Sequence, residues 1–301
     1  MMSVGIFTGY FPYGLDETIR RIKQHGFTNV QLDTAFKDLV LRPGPKAVDD
    51  CRRVADAFRD ADLPISCIAA YKNLTHPEPA TRQAYIDHVK FALKHARLLG
   101  TPYVASEAGT FNADSDYIPD PKNQTEAGYL ECRAILAELA RYAEDHGAVF
   151  LLETYVNNVV GTIERTNRIV EEIDSPGFGL MMDPTNYFED HNIDRIDETL
   201  NRIFDAPLAA HVRCAHAKDV KRAADAGEKY AEMDASSAHS FRGIGAIEMP
   251  GPGLGDLNYA LYLKRLSERH PNIPLIIEHL EEADVPRAKR FVDEQLKRVA
   301  A

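Results

Sequence analysis

Cysteine is scarce in this chain. The four in 301 residues (Cys51, Cys67, Cys132 and Cys214) lie far apart and form no CxxC pair. Neither a redox dithiol nor a cysteine-rich metal module is therefore expected; reduced, buried thiols in a cytoplasmic protein are. Positive charge is in deficit, with 35 Lys and Arg against 46 Asp and Glu and a net charge of −11. That balance favours solubility and works against nucleic acid as a partner. No apolar run approaches the roughly 20 residues needed to cross a bilayer, so no membrane association is expected. The opening MMSVGIFTGY lacks the basic stretch and long apolar run of a secretion signal, so none is expected. Domain linkers, repeats and low-complexity tracts are missing too.

What the chain does have is alternation. Short apolar runs predict strands at Val4–Phe7, Asn29–Leu32, Ile65–Ala70, Tyr103–Ser106, Val149–Glu153, Gly179–Met182, Val212–Ala217 and Leu275–Glu278. Between them lie helical patterns. Leu15, Ile19 and Ile22 fall at i, i+4, i+7, and Ile86, Val89 and Leu93 at i, i+3, i+7, each set making one buried stripe. HGFTNV (25–30), LGTPYV (99–104) and HGAVFL (146–151) each offer a glycine for a left-handed helix cap before the next strand. Strands buried on both faces and alternating with helices imply a parallel sheet with helical crossovers. Eight such units fit a closed (β/α)8 barrel, the TIM barrel, which typically needs about 250 residues; one domain over residues 1–301 is expected. The rival is an open doubly wound sheet, which usually carries a glycine-rich phosphate turn after its first strand. Here that strand runs into the aromatic FTGYFPYG. The late Gly253 and Gly255 precede Asp256 and a helical pattern from Leu257, and read as a turn with a helix cap. A long irregular stretch, Val220 to Gly255, follows the seventh strand, where long loops often serve as lids or substrate loops.

In such a barrel the C-terminal ends of the strands converge on one face, where chemistry sits. Four successive strands end on a metal-ligating residue type: Glu153 after the fifth, Asp183 after the sixth, His216 at the seventh and Glu278 at the eighth. Three carboxylates crowded into one barrel mouth repel each other and lose solvation, and a divalent cation is the simplest way to keep them ionised. One strand-end acid reads as easily as a helix cap or an arginine partner; four in a row do not. Three oxygens and one imidazole favour Mn²⁺, Mg²⁺ or Co²⁺ over a thiolate-rich zinc site.

LLET, MMDPTN, HAKD and IIEH, in that order, resemble the sugar phosphate isomerase/epimerase family, the xylose isomerase-like TIM barrels, over essentially the whole chain. The resemblance implies one divalent metal ion per chain, held by Glu153, Asp183, His216 and Glu278. Mn²⁺ is first choice, with Mg²⁺, Co²⁺ or Zn²⁺ as alternatives. It also implies that Glu153 and Glu278 are the proton-transferring pair of an isomerase or epimerase acting on a small sugar or polyol derivative. One carboxylate removes the proton beside a carbonyl, the metal stabilises the enediolate, and the second carboxylate returns the proton. The resemblance allows a homo-oligomer, dimer or tetramer.

Two departures bear on the substrate. Many sugar epimerases of this group have His three residues after the sixth-strand Asp. Here the position is Asn186, which can bond a hydroxyl but cannot act as acid or base. Many also read HxHxKD at the seventh strand, where CAHAKD has Cys214. Expected substrate contacts are Asn186, Lys218, Glu107 and Tyr71. Lys218 reads equally as a partner of Asp219 or a neighbouring acid, and Glu107 as a support for other site residues. Lys72 is expected to wall the pocket, and Asp33 is ambiguous. His279 reads as a packed histidine, and His76, His239 and Arg242 as loop residues. A lyase could use the same four ligands, as inosose dehydratases and enzymes acting on 3-keto-glycosides do, and Asn186 inclines slightly that way. Apurinic-site endonucleases share this barrel but use many histidines. The absence of His after Asp183, the absence of a DxH pair and the −11 charge weigh against that reading. No basic, glycine-bearing cluster marks a phosphate site, so an unphosphorylated carbohydrate is the expected substrate.

Overall fold

The computed structural model describes residues 2–223, 241–242 and 247–300. Its strands are β1 (Ser3–Phe7), β2 (Asn29–Asp33), β3 (Ile65–Ala69), β4 (Tyr103–Glu107), β5 (Val149–Glu153), β6 (Phe178–Met182), β7 (Val212–Ala217) and β8 (Pro274–Ile277). They close into a barrel in the order β1–β8–β7–β6–β5–β4–β3–β2, every pairing parallel. Each strand begins and ends within one residue of the sequence expectation. The crossover helices are α1 (Leu15–Gln24), α2 (Ala47–Asp60), α3 (Pro79–His95), α4 (Glu126–Asp145), α5 (Ile163–Ile173), α6 (Ile196–Asp205), α7 (Tyr259–Arg269) and α8 (Val285–Ala300).

Local chemistry sets these boundaries. Thr125 and Thr162 cap α4 and α5 by accepting from the N–H of Gly128 (3.0 Å) and Arg165 (3.1 Å), which satisfies donors the helix itself cannot. Gly26, Gly100 and Gly147 take φ of 74°, 91° and 63°, the left-handed exit that a Cβ disfavours.

Two cores result. The larger fills the space between barrel and helices. The smaller, made by Cys67, Ala105, Leu151, Met181, Cys214 and Ile276, fills the barrel itself. Alternate strand residues point to the same side. The residues two beyond Ala105, Leu151, Met181, Cys214 and Ile276 therefore project inward one layer higher, at the barrel mouth. They are Glu107, Glu153, Asp183, His216 and Glu278.

The stretch after β7 departs in part from the irregular loop expected. Lys221–Arg222 and Phe241–Arg242 each pair antiparallel with Ile247–Met249; His239 lies outside the described residues. The cap of α7 also differs. Leu257 N–H donates to Asp219 Oδ1 at 3.0 Å, tying residues 256–257 to the β7 exit, so the helix starts two residues later. Asn258, not Asp256, caps it, accepting from Leu261 N–H at 3.1 Å. Among the described residues no helix is long and apolar enough to cross a membrane.

Candidate metal centre

Glu153, Asp183, His216 and Glu278 bring one ligand atom each to within 4.8 Å of one another; among the described residues no other such group of His, Cys, Asp and Glu converges. His216 Nδ1 is the hub, 3.3 Å from Glu153 Oε1, 3.7 Å from Asp183 Oδ2 and 3.3 Å from Glu278 Oε2. All four side chains are enclosed, Glu278 least so at 9% exposed.

Asp183 shows how local sequence makes a ligand. MMDPT stops the strand at Pro184, and Asp183 caps the short 3₁₀ turn Pro184–Tyr187. Its Oδ1 accepts from Thr185 N–H (2.9 Å) and Thr185 Oγ1–H (2.6 Å). That leaves Oδ2 facing the cluster. Oδ2 is buried and accepts no well-directed hydrogen bond, although Lys218 Nζ stands 2.7 Å away. One oxygen serves the helix cap, and the other turns to the cluster.

The electrostatics ask for more positive charge. Burial disfavours a charged imidazole, yet Glu153 and Glu278 outweigh it and hold His216 well above the usual histidine range. Burial pushes Glu278 up to about 7 against the pull of His216. Lys218 and His216 outweigh burial at Asp183 and keep its carboxyl below the ordinary range. Three carboxylates face the Lys218 ammonium and an imidazole that they favour in its charged form, and Asp183 Oδ2, 2.7 Å from Lys218 Nζ, also turns to their common centre. A divalent cation bound by three oxygens and an imidazole nitrogen fits that arrangement.

The supports come from elsewhere in the fold. Tyr71 O–H donates to Glu153 Oε2, and Asn186 Nδ2 donates to Glu153 Oε1 at 2.8 Å. Lys218 Nζ donates to Asn186 Oδ1 at 2.9 Å. Gln31, 0% exposed, reaches across the barrel from β2 to His216. From α7, Tyr262 and Tyr259 donate to the backbone carbonyls of His216 (2.8 Å) and Lys218 (2.9 Å) and fix the end of β7. Tyr10 accepts from His279 N–H at 2.7 Å, anchoring the chain just after Glu278. The Glu278 carboxylate has His216 Nδ1 3.3 Å from its Oε2.

The xylose isomerase-like TIM barrel family model matches residues 19–296. The chain belongs to that family. No curated protein matches the sequence significantly. Among solved structures, a D-tagatose 3-epimerase-like protein is 19% identical, with 99% of this chain and 98% of that one covered and a TM-score of 0.69. A xylose isomerase-like TIM barrel protein from Mycobacterium smegmatis in complex with magnesium is 15% identical, with coverage of 100% and 97% and a TM-score of 0.69. The 3-keto-D-glucoside 4-epimerase YcjR from E. coli is 16% identical, with coverage of 100% and 99% and a TM-score of 0.66. At these identities the likeness is one of fold.

On this family barrel the remaining candidates fall unevenly. Tyr71 joins the site directly through Glu153. The Asn186 amide bonds Glu153 through Nδ2 and Lys218 through Oδ1. Lys218 pairs with Asp183 rather than Asp219, whose carboxylate receives the N–H of Val220, Gly253 and Leu257. Glu107 lies beside Glu153 in register; burial, then the Glu153 charge, pushes its carboxyl up to about 8. Asp33 accepts from Ala35 N–H at 3.2 Å in a turn. His76 accepts from Glu78 N–H at 3.2 Å in its loop. His279 turns to the Met249 carbonyl, 2.8 Å from its Nδ1, and burial pushes its pKa down to about 3. Lys72 lies over the Tyr85 ring at 5.6 Å. Gln31, Tyr10, Tyr259 and Tyr262 were not singled out from sequence. The one local signal was Gln31, an amide inside the otherwise apolar VQL of β2.

Proposed function

We propose that the protein is a divalent-metal-dependent isomerase or epimerase of a small, unphosphorylated sugar or polyol derivative, acting by proton transfer at the carbon beside a carbonyl. The observation that carries this is the convergence of Glu153, Asp183, His216 and Glu278 at four consecutive strand ends. The family, and epimerases among the solved structures of the same fold, support it. When bound, the cation polarises the carbonyl and offsets the negative charge that builds on its oxygen; Mn²⁺ is the first candidate.

The chain supplies the proton traffic. Glu278 is the most accessible of the four, with His216 Nδ1 3.3 Å from its Oε2, and burial brings its pKa up to about 7. A carboxylate in that state is a competent base near neutral pH. Glu153, held at both oxygens by Tyr71 and Asn186, is the oriented partner that handles the proton on the other side of the reacting carbon. Asn186 and Lys218 hold Glu153 and Asp183 in place, and Glu107 adds a fourth carboxyl at the barrel mouth for a substrate oxygen.

The test is product analysis by mass spectrometry in deuterated water, with Mn²⁺ and a panel of keto-sugars, keto-glycosides and inososes. The expected result is an isomer that differs in mass only by exchanged hydrogen, lost on chelation and restored by Mn²⁺. Clean loss of water or alcohol, with no isomer formed, would make the protein a lyase with the same site. Turnover unaffected by complete metal removal would overturn the reading.

A further inference from the structure

Gln31 is a fully enclosed polar side chain in the middle of a barrel strand, a position that costs free energy unless each of its groups is bonded. Its surroundings are built for it. The β2/β3 register slips by one residue between Val30 and Gln31, so that Gln31 pairs with Cys67 and Ser66 is the extra residue. Irregularities of this kind re-aim side chains next to active sites. From there the amide spans the barrel. Its Oε1 lies 3.1 Å from His216 Nε2, and its Nε2 donates to Tyr71 Oη at 3.1 Å. Tyr71 O–H donates to Glu153 Oε2, and Glu153 Oε1 faces His216 Nδ1 at 3.3 Å. Gln31, Tyr71, Glu153 and His216 thus form a closed ring of contacts.

We propose that Gln31 is a positioning residue that holds the His216 proton on Nε2, leaves Nδ1 as a lone pair for the divalent cation, and by the same amide directs the Tyr71 proton onto Glu153. The inference rests on the metal reading of the four-residue cluster. An amide oxygen only accepts, so the ring nitrogen facing it must donate. With a cation at Nδ1 the imidazole is neutral and has one N–H, and placing that proton on Nε2 leaves the lone pair of Nδ1 pointing where the three carboxylates converge. The amide NH₂ only donates, so the Tyr71 oxygen must accept there, and its single proton goes to Glu153 Oε2. Turning the amide over would reverse both results. The NH₂ would face Nε2 and force the proton onto Nδ1, and the amide oxygen would draw the Tyr71 proton away from Glu153. Only the orientation observed leaves Nδ1 open and Glu153 fixed at once. Partners of this kind set the tautomer and basicity of metal-bound histidines.

The test uses the full-length protein loaded with Zn²⁺, which is diamagnetic. The readouts are Zn²⁺ affinity, by competition with a chromophoric chelator, and imidazole ¹⁵N NMR. Wild type should show the His216 proton on Nε2. Gln31→Leu, which loses both bonds, should weaken Zn²⁺ binding by about 10- to 100-fold, as removal of such partners does. Gln31→Glu keeps an acceptor for His216 Nε2–H and should recover most of that loss, which a purely space-filling role would not explain. Wild-type affinity in Gln31→Leu, or a wild-type proton on Nδ1, overturns the proposal while leaving the metal site standing. Should Gln31→Leu fail to fold, the wild-type NMR signature and the Gln31→Glu affinity still decide it. Failure of wild type to bind Zn²⁺ or Mn²⁺ at all would overturn the metal reading and this inference together.

Discussion

The ends of β5 to β8 present Glu153, Asp183, His216 and Glu278 to one point, whereas β1 to β4 and their exits contribute Tyr10, Gln31 and Tyr71. Both halves are made of the same short parallel strands, and both send alternate side chains inward. They differ in what those side chains meet. In the second half the carboxylates meet charged or chargeable groups: Asp183 Oδ2 stands 2.7 Å from Lys218 Nζ, and Glu278 Oε2 stands 3.3 Å from His216 Nδ1. In the first half, the Gln31 amide and the Tyr71 hydroxyl both give and take. The contrast reaches into the pair of glutamates. Glu153, facing the first half, is clamped by Tyr71 and Asn186; Glu278 is not. The charge of the site is thus local to four neighbouring strands, while its orientation is distributed around the barrel.

The strongest attack on this contrast is Asp183→Ala. It removes a ligand and leaves Lys218 buried without its 2.7 Å partner. Metal affinity should fall by more than the ~100-fold upper range seen for lost supports, and stability by about 3–5 kcal/mol, the usual cost of breaking a buried pair. Metal analysis and denaturant unfolding measure both, and full metal content at an unchanged midpoint would erase the distinction. A sharper comparison sets one residue from each half side by side. Glu278→Gln should lower kcat by at least ~10²-fold, the lower range for losing a positioned base. Tyr71→Phe removes one hydrogen bond to a charged group, worth about 1.5–3 kcal/mol, and its effect on kcat should be the smaller of the two. Equal losses would mean that the halves share the chemistry. The smallest effect is expected where the halves meet. Cys67 on β3 and Cys214 on β7 pack in the same inner core. Burial holds the Cys67 thiol well above its ordinary range and pushes Cys214 up to about 12. Neither should react with a disulfide reagent such as DTNB until the protein unfolds; rapid labelling of one alone would show an opening in that half.

The barrel could be read from sequence because each strand is a short apolar run between helices of clear period, and periodicity is a local property. The four converging residues were legible for a related reason: an acid or histidine at the end of an apolar run conflicts with its surroundings, and the conflict recurs at four successive strands. What the supports bond to was not legible, and Gln31 and the α7 tyrosines were not legible at all. Gln31 meets His216 across 185 residues of chain, and nothing near either one announces the other. Asn186 was visible as a departure from the family pattern, but its role depends on Lys218, 32 residues on. The same holds for the α7 tyrosines, whose hydroxyls reach β7 carbonyls that any sequence would possess. The start of α7 departs from the Leu257 that the pattern predicts because the Leu257 N–H is bound by Asp219, 38 residues earlier.

Asp219 has one more consequence. It gathers the N–H groups of Val220, Gly253 and Leu257 on a single carboxylate, while Asp256 N–H returns to the Val220 carbonyl at 2.8 Å. The close approach leaves no room at Gly255, where a Cβ would sit 2.4 Å from Asp219 Oδ1. The two ends of the 220–255 stretch are thereby tied into one knot at the exit of β7, three residues from His216. The carboxylate that gathers them belongs to the barrel side, so the position of both ends is set at the strand exit. The barrel therefore carries a clamp at the exit of β7, one that sites His216 from the strand side and not from the segment that follows.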